Sequence, residues 1–293
     1  MVSSQWTTTS TGDFSECVDR IADAIIGADA VLVGAGAGLS TAAGFSYAGK
    51  RFDDNFADFR DAYGITDMYS GGFYPFPDQE SLWAWWSRSI LLNRYDCPVG
   101  KPYLDLLHLL RGREYFVLTT NVDHQFQRAG IDRDRLFYMQ GDYGLLQCSR
   151  PCHQATYDNE ELVRQMAERQ NDLRVPSELV PRCPRCGAPM APNLRCDDTF
   201  VEDANWHAAA RRYDEFLNRH RRDRIVLLEV GVGGNTPAII KYPFWRMASE
   251  NRNATYVQLN KGEVLVPSQL ERQSVILDCD AAEALSALRE RLG

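Results

Sequence analysis

The sequence contains no long apolar run and no excess of positive charge. No stretch approaches the roughly 20 consecutive apolar residues that a helix needs to cross a bilayer. Its 32 lysines and arginines are outnumbered by 40 aspartates and glutamates, which gives a net charge of −8. This balance argues against non-specific binding to nucleic acid or anionic membranes, because both require a positive field. The first residues also lack the basic and apolar regions of a secretory signal, so we expect a cytoplasmic protein with neither kind of partner.

A disulfide framework is not expected either, because the chain has 293 residues and no secretion signal. Four of the eight cysteines form two close pairs: Cys148 with Cys152, and Cys183 with Cys186. Two hairpin-borne thiolate pairs can close a tetrahedral shell around Zn²⁺, which leaves no open coordination position for catalysis. The cysteines therefore predict a structural zinc site. Cys196 and His153 are alternative fourth ligands if one pair is split.

Short apolar runs alternate along the chain with helical patterns. The runs are Ala30–Val33, Tyr115–Leu118, Leu136–Tyr138, Ile225–Val230, Thr255–Leu259 and Ser274–Leu277. The helical patterns are Phe14–Ile26, Gln79–Leu92, Tyr103–Leu110, Trp206–Asn218 and Asp280–Leu292. This alternation predicts an α/β domain with a mostly parallel sheet.

Two stretches interrupt this alternation. Residues 44–76 are rich in Gly, Phe, Tyr and Asp with poor periodicity, and we interpret them as a long loop with at most one short helix, a probable cofactor-binding lid. Residues 145–200 contain both cysteine pairs and six prolines, which predicts a small zinc-binding module. The module would be inserted between residues 1–144 and 201–293, which would form the α/β domain.

A glycine-rich segment directly follows the first predicted strand. It contains Gly36, Ala37, Gly38 and Ser40, and it is predicted to open a helix. Glycines at such a turn allow the backbone to approach a pyrophosphate, and a helix N-terminus offers free N–H groups to anionic oxygens. The alternative is a tight strand-to-helix turn that binds nothing. The position after the first strand favours dinucleotide binding.

Asn121 and Asp123 follow the strand Tyr115–Leu118. Polar residues just beyond the carboxyl end of a parallel strand lie where open α/β sheets bind ligands. Both residue types are also common helix N-caps, and that alternative would be preferred for this segment alone. In combination with the glycine loop, we predict a binding role.

These segments together resemble the sirtuin family of NAD-consuming enzymes over nearly the whole chain. GAGLS (Gly36–Ser40) resembles the family's GAGxS loop, and TTNVDHQFQRAG (Thr119–Gly130) resembles its TQNxDxLHxxAG motif. The cysteine pairs follow in the family's order. The resemblance implies a Rossmann-like NAD-binding domain with a small zinc module. It also implies a further set of NAD-binding positions: Gly231, Val232, Asn235, Asn260 and Cys279.

The departures from the family pattern point to a different reaction. Gln140 stands where the deacylating members have their histidine base, and the usual GIPDFR segment is replaced by Gly44–Gly49. Such departures resemble the macrodomain-linked microbial sirtuins. That class is associated with protein ADP-ribosylation, with lipoyl-carrier proteins as acceptors and a macrodomain hydrolase as a further partner.

Gln140 cannot act as a general base, because its side-chain amide does not titrate near neutral pH and can only donate or accept hydrogen bonds. By resemblance, Asn121 would orient the ribose and Asp123 would bind the nicotinamide carboxamide, while Gln140 would hold the ribose. We therefore predict an NAD-dependent protein mono-ADP-ribosyltransferase with these three as site residues. The alternatives are a lysine deacylase with another base, an NAD hydrolase, and a non-catalytic NAD or ADP-ribose sensor. His124 is interpreted as a surface or loop histidine.

Overall fold

The structure is a computed structural model that describes residues 6–234 and 237–293. Its strands are β1 (Trp6–Thr7), β2 (Ala30–Ala35), β3 (Tyr115–Thr119), β4 (Leu136–Tyr138), β5 (Gly141–Cys148), β6 (Tyr157–Asp158), β7 (Met190–Leu194), β8 (Ile225–Val230), β9 (Thr255–Asn260), β10 (Val266–Pro267) and β11 (Ser274–Asp278). Its α-helices are α1 (Phe14–Gly27), α2 (Ala37–Ala42), α3 (Lys50–Tyr63), α4 (Met68–Gly71), α5 (Gln79–Ile90), α6 (Lys101–Leu110), α7 (Gln125–Ala129), α8 (Glu160–Arg169), α9 (Ala204–Arg219), α10 (Lys241–Glu250) and α11 (Ala281–Leu292). None of these helices is long and apolar enough to cross a membrane.

Six strands form one parallel sheet in the order β11-β9-β8-β2-β3-β4. The six apolar runs predicted as strands are these six strands, so the prediction of an α/β domain is confirmed. Every residue of β2 and β8 is buried, as expected for central strands that helices cover on both faces. The chain moves outward from β2 to β3 and β4 and then returns to the other side of β2. Between β2 and β8 the sheet therefore has a topological switch point, where such sheets bind ligands.

Helices cover both faces of this sheet. On one face α1, α6 and α11 bury Ile21, Leu106 and Leu285 against the strands. On the other, α9 and α10 bury Phe216 and Phe244. Asp13 caps α1 by accepting a 2.8 Å hydrogen bond from the Glu16 N–H.

A second unit is built on the antiparallel sheet β6-β5-β7. The predicted zinc module, residues 145–200, supplies β6, β7 and α8. Its hydrophobic core also includes Phe56 and Phe59 of α3 and Trp85 of α5. The module thus packs on residues that precede it by about a hundred positions in the chain, a contact that no local pattern predicted.

The prediction that residues 44–76 form a loop with at most one short helix is wrong, because this stretch contains the 14-residue α3 as well as α4. Phe52, Phe56 and Phe59 are completely or almost completely buried and recur at helical spacing. Charged residues on the opposite face of α3 obscured this stripe. The helix ends at Gly64, whose φ of 70° is left-handed and suits glycine.

Candidate active site

A cleft of about 620 Å³ opens at the carboxyl ends of β2, β3 and β8. It lies at the switch point of the sheet, as the position of the glycine segment and of Asn121 predicted. Seven of the predicted site residues line it: Gly36, Ala37, Ser40, Asn121, Asp123, Gln140 and Val232. Residues from four separate segments of the sequence therefore meet in one cavity.

The glycines hold two loops together beneath the cleft. A Cβ atom on Gly36 would lie 2.7 Å from the Gly231 carbonyl oxygen, and one on Gly38 would lie 2.7 Å from the Gly231 Cα. The Gly38 N–H donates to that same carbonyl at 2.8 Å, and Gly231 itself has a φ of +63°. The close approach of the two loops thus already requires glycine at all three positions.

Two other predicted NAD-binding positions, Asn260 and Cys279, lie behind the residues that line the cleft. The Asn260 side chain donates to the Val232 carbonyl at 3.3 Å and to the Glu263 carbonyl at 2.9 Å. The Cys279 N–H donates to the Asn260 carbonyl at 3.2 Å. Among the described residues, neither Asn260 nor Cys279 lines the cavity, so both support the loop after β8. Asn235 lies outside the described residues.

Asn121 and Asp123 are both buried and tied to the glycine segment. The Asn121 amide donates to the Gly36 carbonyl at 3.0 Å. Asp123 accepts from the Ser40 hydroxyl at 2.5 Å and from the Gln125 N–H at 3.1 Å. Burial raises the pKa of Asp123 above its ordinary value, against the effect of these hydrogen bonds. The helix-cap alternative is partly realised as well, because Gln125 is the first residue of α7.

Gln140 occupies the turn between β4 and β5. Gly141 follows it with a φ of +94°, and a Cβ there would lie 1.9 Å from the Asn193 carbonyl oxygen, so only glycine fits. The Gln140 carbonyl accepts from the Arg195 N–H at 3.0 Å. These backbone constraints fix the point from which the Gln140 side chain reaches the cavity wall.

No histidine is found among the described residues that line the cleft. His124 lies in the loop between β3 and α7, which is one of the two expected locations, and its side chain is 18% exposed. Its Nδ1 bonds the Asp142 carboxylate, which also accepts from Arg94 at 2.8 Å. Burial favours a high pKa for Asp142, but the bonds from His124 and Arg94 outweigh it and lower that pKa. A buried carboxylate therefore holds this histidine.

Aromatic residues form one wall of the cleft, and the first four of them lie in residues 44–76, which the sequence indicated as a cofactor-binding lid: Phe45, Tyr47, Tyr69, Phe73, Trp86 and Tyr143. The hydroxyls of Tyr47 and Tyr143 are 2.8 Å apart. Phe45 and Tyr47 directly follow Gly44, in the segment that replaces GIPDFR. Because that family pattern is lost, the sequence did not identify them as site residues. The guanidinium of Arg51 lies 5.7 Å from the Phe45 ring centroid.

The four paired cysteines converge in the second unit, with all four Sγ atoms within 4.8 Å of one another. The Sγ atoms of Cys148 and Cys186 are 3.6 Å apart, and those of Cys152 and Cys183 are 3.7 Å apart. A tetrahedral ion with Zn–S bonds of about 2.3 Å requires separations of about 3.8 Å. The predicted set can therefore bind a structural zinc. Cys196, an alternative ligand, instead lines the cleft.

Comparisons with known proteins agree with this geometry, although no protein-family model matches the chain. A protein ADP-ribosyltransferase of Staphylococcus aureus (strain Mu50) is 40% identical over 293 residues, which cover 99% of this chain and 93% of the relative. A probable bifunctional ADP-ribose hydrolase/ADP-ribosyltransferase of Fusarium oxysporum f. sp. cubense is 32% identical over 281 residues. That match covers 90% of this chain but 46% of the fungal protein.

Solved structures of Sir2 proteins share the fold. A Sir2 homologue in complex with NAD has a TM-score of 0.64 at 16% identity, and the match covers 98% of this chain and 96% of that chain. A mutant Sir2 homologue in complex with ADP-ribose has a TM-score of 0.61 at 16% identity, with 94% and 96% covered. Similarity at this level of identity establishes the fold, and the relationship to the ADP-ribosyltransferases comes from the sequence matches.

Proposed function

This chain belongs to the sirtuin family, in its protein ADP-ribosylating class, and on that premise we propose that it cleaves nicotinamide from NAD and transfers ADP-ribose to an acceptor protein. One observation carries the proposal. Asn121, Asp123 and Gln140 line a single cleft, and no histidine lies among its described lining residues. The site thus has groups to hold the reacting end of NAD but no side chain suited to the base step of deacylation.

The described residues fit NAD. When bound, NAD supplies a ribose carbon that becomes electrophilic as nicotinamide leaves. Both amide hydrogens of Asn121 are used within the protein, by Gly36 and by Tyr103, so its Oδ1 is left to accept from a ribose hydroxyl. The Asp123 carboxylate has about four lone-pair positions, and Ser40, Gln125 and, at 3.4 Å, Tyr103 donate to it. The remaining lone pair would accept from the carboxamide of nicotinamide.

Gln140 would hold the ribose by hydrogen bonds without taking a proton. In deacylation, a base must deprotonate a ribose hydroxyl so that the acyl group can migrate, and such a base contributes about 10²–10⁴-fold to the rate. Capture of the ribose by a protein nucleophile requires no such migration. Cleavage of nicotinamide from NAD is therefore retained here, and transfer of ADP-ribose to a protein replaces the migration of an acyl group.

We propose a lipoyl-carrier protein as the acceptor to test first. The departures from the deacylase pattern support this choice, as does the mouth of the cleft. Tyr69 and Phe73 are 62% and 58% exposed there, with ring centroids 5.2 Å apart, and they would contact a long apolar arm. The name of the fungal relative supports an ADP-ribose hydrolase as a second partner. A reducing cytoplasm would keep the four cysteine thiolates available for zinc.

The experiment combines the purified protein with NAD labelled in its adenylate part and a lipoylated carrier protein. We expect label on the carrier and one released nicotinamide per label transferred. Asn121→Ala should lower both by about 100-fold or more, because the reacting groups lose their alignment. Asn171→Ala is the matched control, since Asn171 is exposed and is not among the described residues that line the cleft.

Three outcomes would contradict the proposal, each in favour of another function. Release of nicotinamide with no labelled protein would indicate NAD hydrolysis. Consumption of an acylated peptide in place of the carrier would indicate deacylation. Thermal stabilisation by NAD without any release of nicotinamide would indicate a sensor.

A further inference from the structure

Tyr103 lies directly behind the cleft wall and contacts three polar residues of the site. It belongs to α6, is fully buried, and its ring packs edge-on against Phe126 with centroids 4.9 Å apart. Its hydroxyl lies 2.8 Å from the Ser40 Oγ, 3.1 Å from the Asn121 Nδ2 and 3.4 Å from the Asp123 Oδ2. Tyr103 is not among the described residues that line the cavity, so any effect on the reaction must pass through these neighbours.

The donors and acceptors around Tyr103 form a chain of hydrogen bonds in which every donor points the same way, toward Asp123. Ser40 has a single hydroxyl hydrogen, which it donates to Asp123, so the Tyr103 hydroxyl hydrogen is shared between the Ser40 Oγ at 2.8 Å and the Asp123 Oδ2 at 3.4 Å. Asn121 in turn donates to Tyr103. The chain thus leads from the Asn121 amide, through two hydroxyls, to the Asp123 carboxylate. Hydrogen bonds aligned in this way polarise and strengthen one another in a buried site.

This chain fixes the orientation of the Asn121 amide. An amide flip would place a carbonyl oxygen, which cannot donate, where Nδ2 now donates to Gly36 and Tyr103. The Gly36 carbonyl would accept nothing from Asn121 after such a flip. With the hydroxyl of Tyr103 in place, Nδ2 stays inside the protein and Oδ1 remains available to the cleft.

We propose that Tyr103 is a positioning residue that holds the amide of Asn121 in the orientation needed for cleavage of the nicotinamide bond. This inference rests on the proposed function. It assigns a role to a residue that sequence reasoning placed only inside a helical pattern.

Tyr103→Phe tests the inference, because it keeps the ring packing and removes only the hydroxyl. We expect kcat for nicotinamide release to fall about tenfold or more, since a buried amide donor loses its partner, while KM for NAD changes less than about threefold. Tyr115→Phe is the matched control. Tyr115 is buried in the same hydrophobic cluster, and its hydroxyl makes no hydrogen bond to any described residue. A lower melting temperature with unchanged kcat would show a merely structural role and overturn the inference.

The double variant with Asn121→Ala gives the decisive comparison. If Tyr103 acts through Asn121, its loss should change the residual rate of Asn121→Ala less than about twofold. A further tenfold decrease in that background would show independent effects and overturn the inference.

The wild-type protein, Tyr103→Phe, Asn121→Ala and the double variant also separate this inference from the proposed function. If the wild-type protein binds NAD but releases no nicotinamide, the proposed function fails, and calorimetric NAD affinities then replace the rates in the comparison. Non-additive losses of affinity would support the role of Tyr103, and additive losses would overturn it. A wild-type protein that does not bind NAD would overturn both.

Discussion

Replacing Lys241 with Met should strongly destabilise the protein, although Lys241 is not one of the predicted site residues. Lys241 begins α10 and bonds the carboxylate of Glu229 in β8. The two side chains are 7% and 0% exposed. Tyr256 donates to the same carboxylate at 2.7 Å and Gln258 at 3.0 Å, but neither carries a charge. Without Lys241, a fully buried carboxylate would have no cation beside it.

The expected loss in the free energy of unfolding is about 3–5 kcal/mol, the range found when one partner of a buried ion pair is removed. A domain has only about 5–15 kcal/mol in total, so the effect is large. The matched control is Lys50→Met. Lys50 pairs with Asp54 at the surface, with side chains 85% and 54% exposed, and such pairs contribute less than about 1 kcal/mol.

Urea unfolding followed by tryptophan fluorescence measures both variants, with stability compared at equal denaturant slope. Adding Glu229→Gln to Lys241→Met should recover at least about half of the loss, because it removes the uncompensated charge. A loss below about 1 kcal/mol for Lys241→Met, or no recovery in the double variant, would refute this reasoning. Since Glu229 lies two residues before Gly231, the single variant should also bind NAD more weakly.

Three further predictions concern the cleft and the metal site. Burial raises the pKa of Asp123. Nicotinamide release should therefore decrease as the pH falls through that raised pKa, because the carboxylate gains a proton and is no longer purely a hydrogen-bond acceptor. A decrease only near the ordinary carboxyl pKa of about 4 would contradict this prediction. Metal analysis should find one zinc per chain, lost in Cys183→Ser and retained in the control Cys196→Ser; the reverse pattern would show that the metal set is wrong. Phe73→Ala should raise KM for the acceptor with a change in stability within about 0.5 kcal/mol, whereas buried Phe56→Ala should destabilise by about 3–5 kcal/mol; equal effects on stability would contradict the assigned exposure.

Local hydrophobic patterns predicted the helices and strands of this fold well wherever the pattern was typical of only one of the two. The run Ile225–Val230 is apolar except for Glu229 because helices cover both faces of the strand, and its bounds agree with β8. The stripe of Phe52, Phe56 and Phe59 was missed because exposed charges on the same helix masked its period.

The candidate site was predictable in part. Asn121 was found through its position after a strand and through family resemblance, and Gln140 through the resemblance alone; both line the cleft. Tyr103 and Tyr143 were not found, because their roles depend on contacts between segments that are far apart in the sequence. Likewise, no sequence pattern showed that the backbones at Gly36 and Gly231 approach too closely for a side chain on Gly36.

The most direct test of the account is the product formed from NAD and an acetyl-lysine peptide, identified by mass spectrometry. With no histidine among the described residues lining the cleft, the account predicts that the peptide keeps its acetyl group and that no acetyl-ADP-ribose is formed, while ADP-ribose still transfers to a protein acceptor. Formation of acetyl-ADP-ribose at each turnover would contradict it.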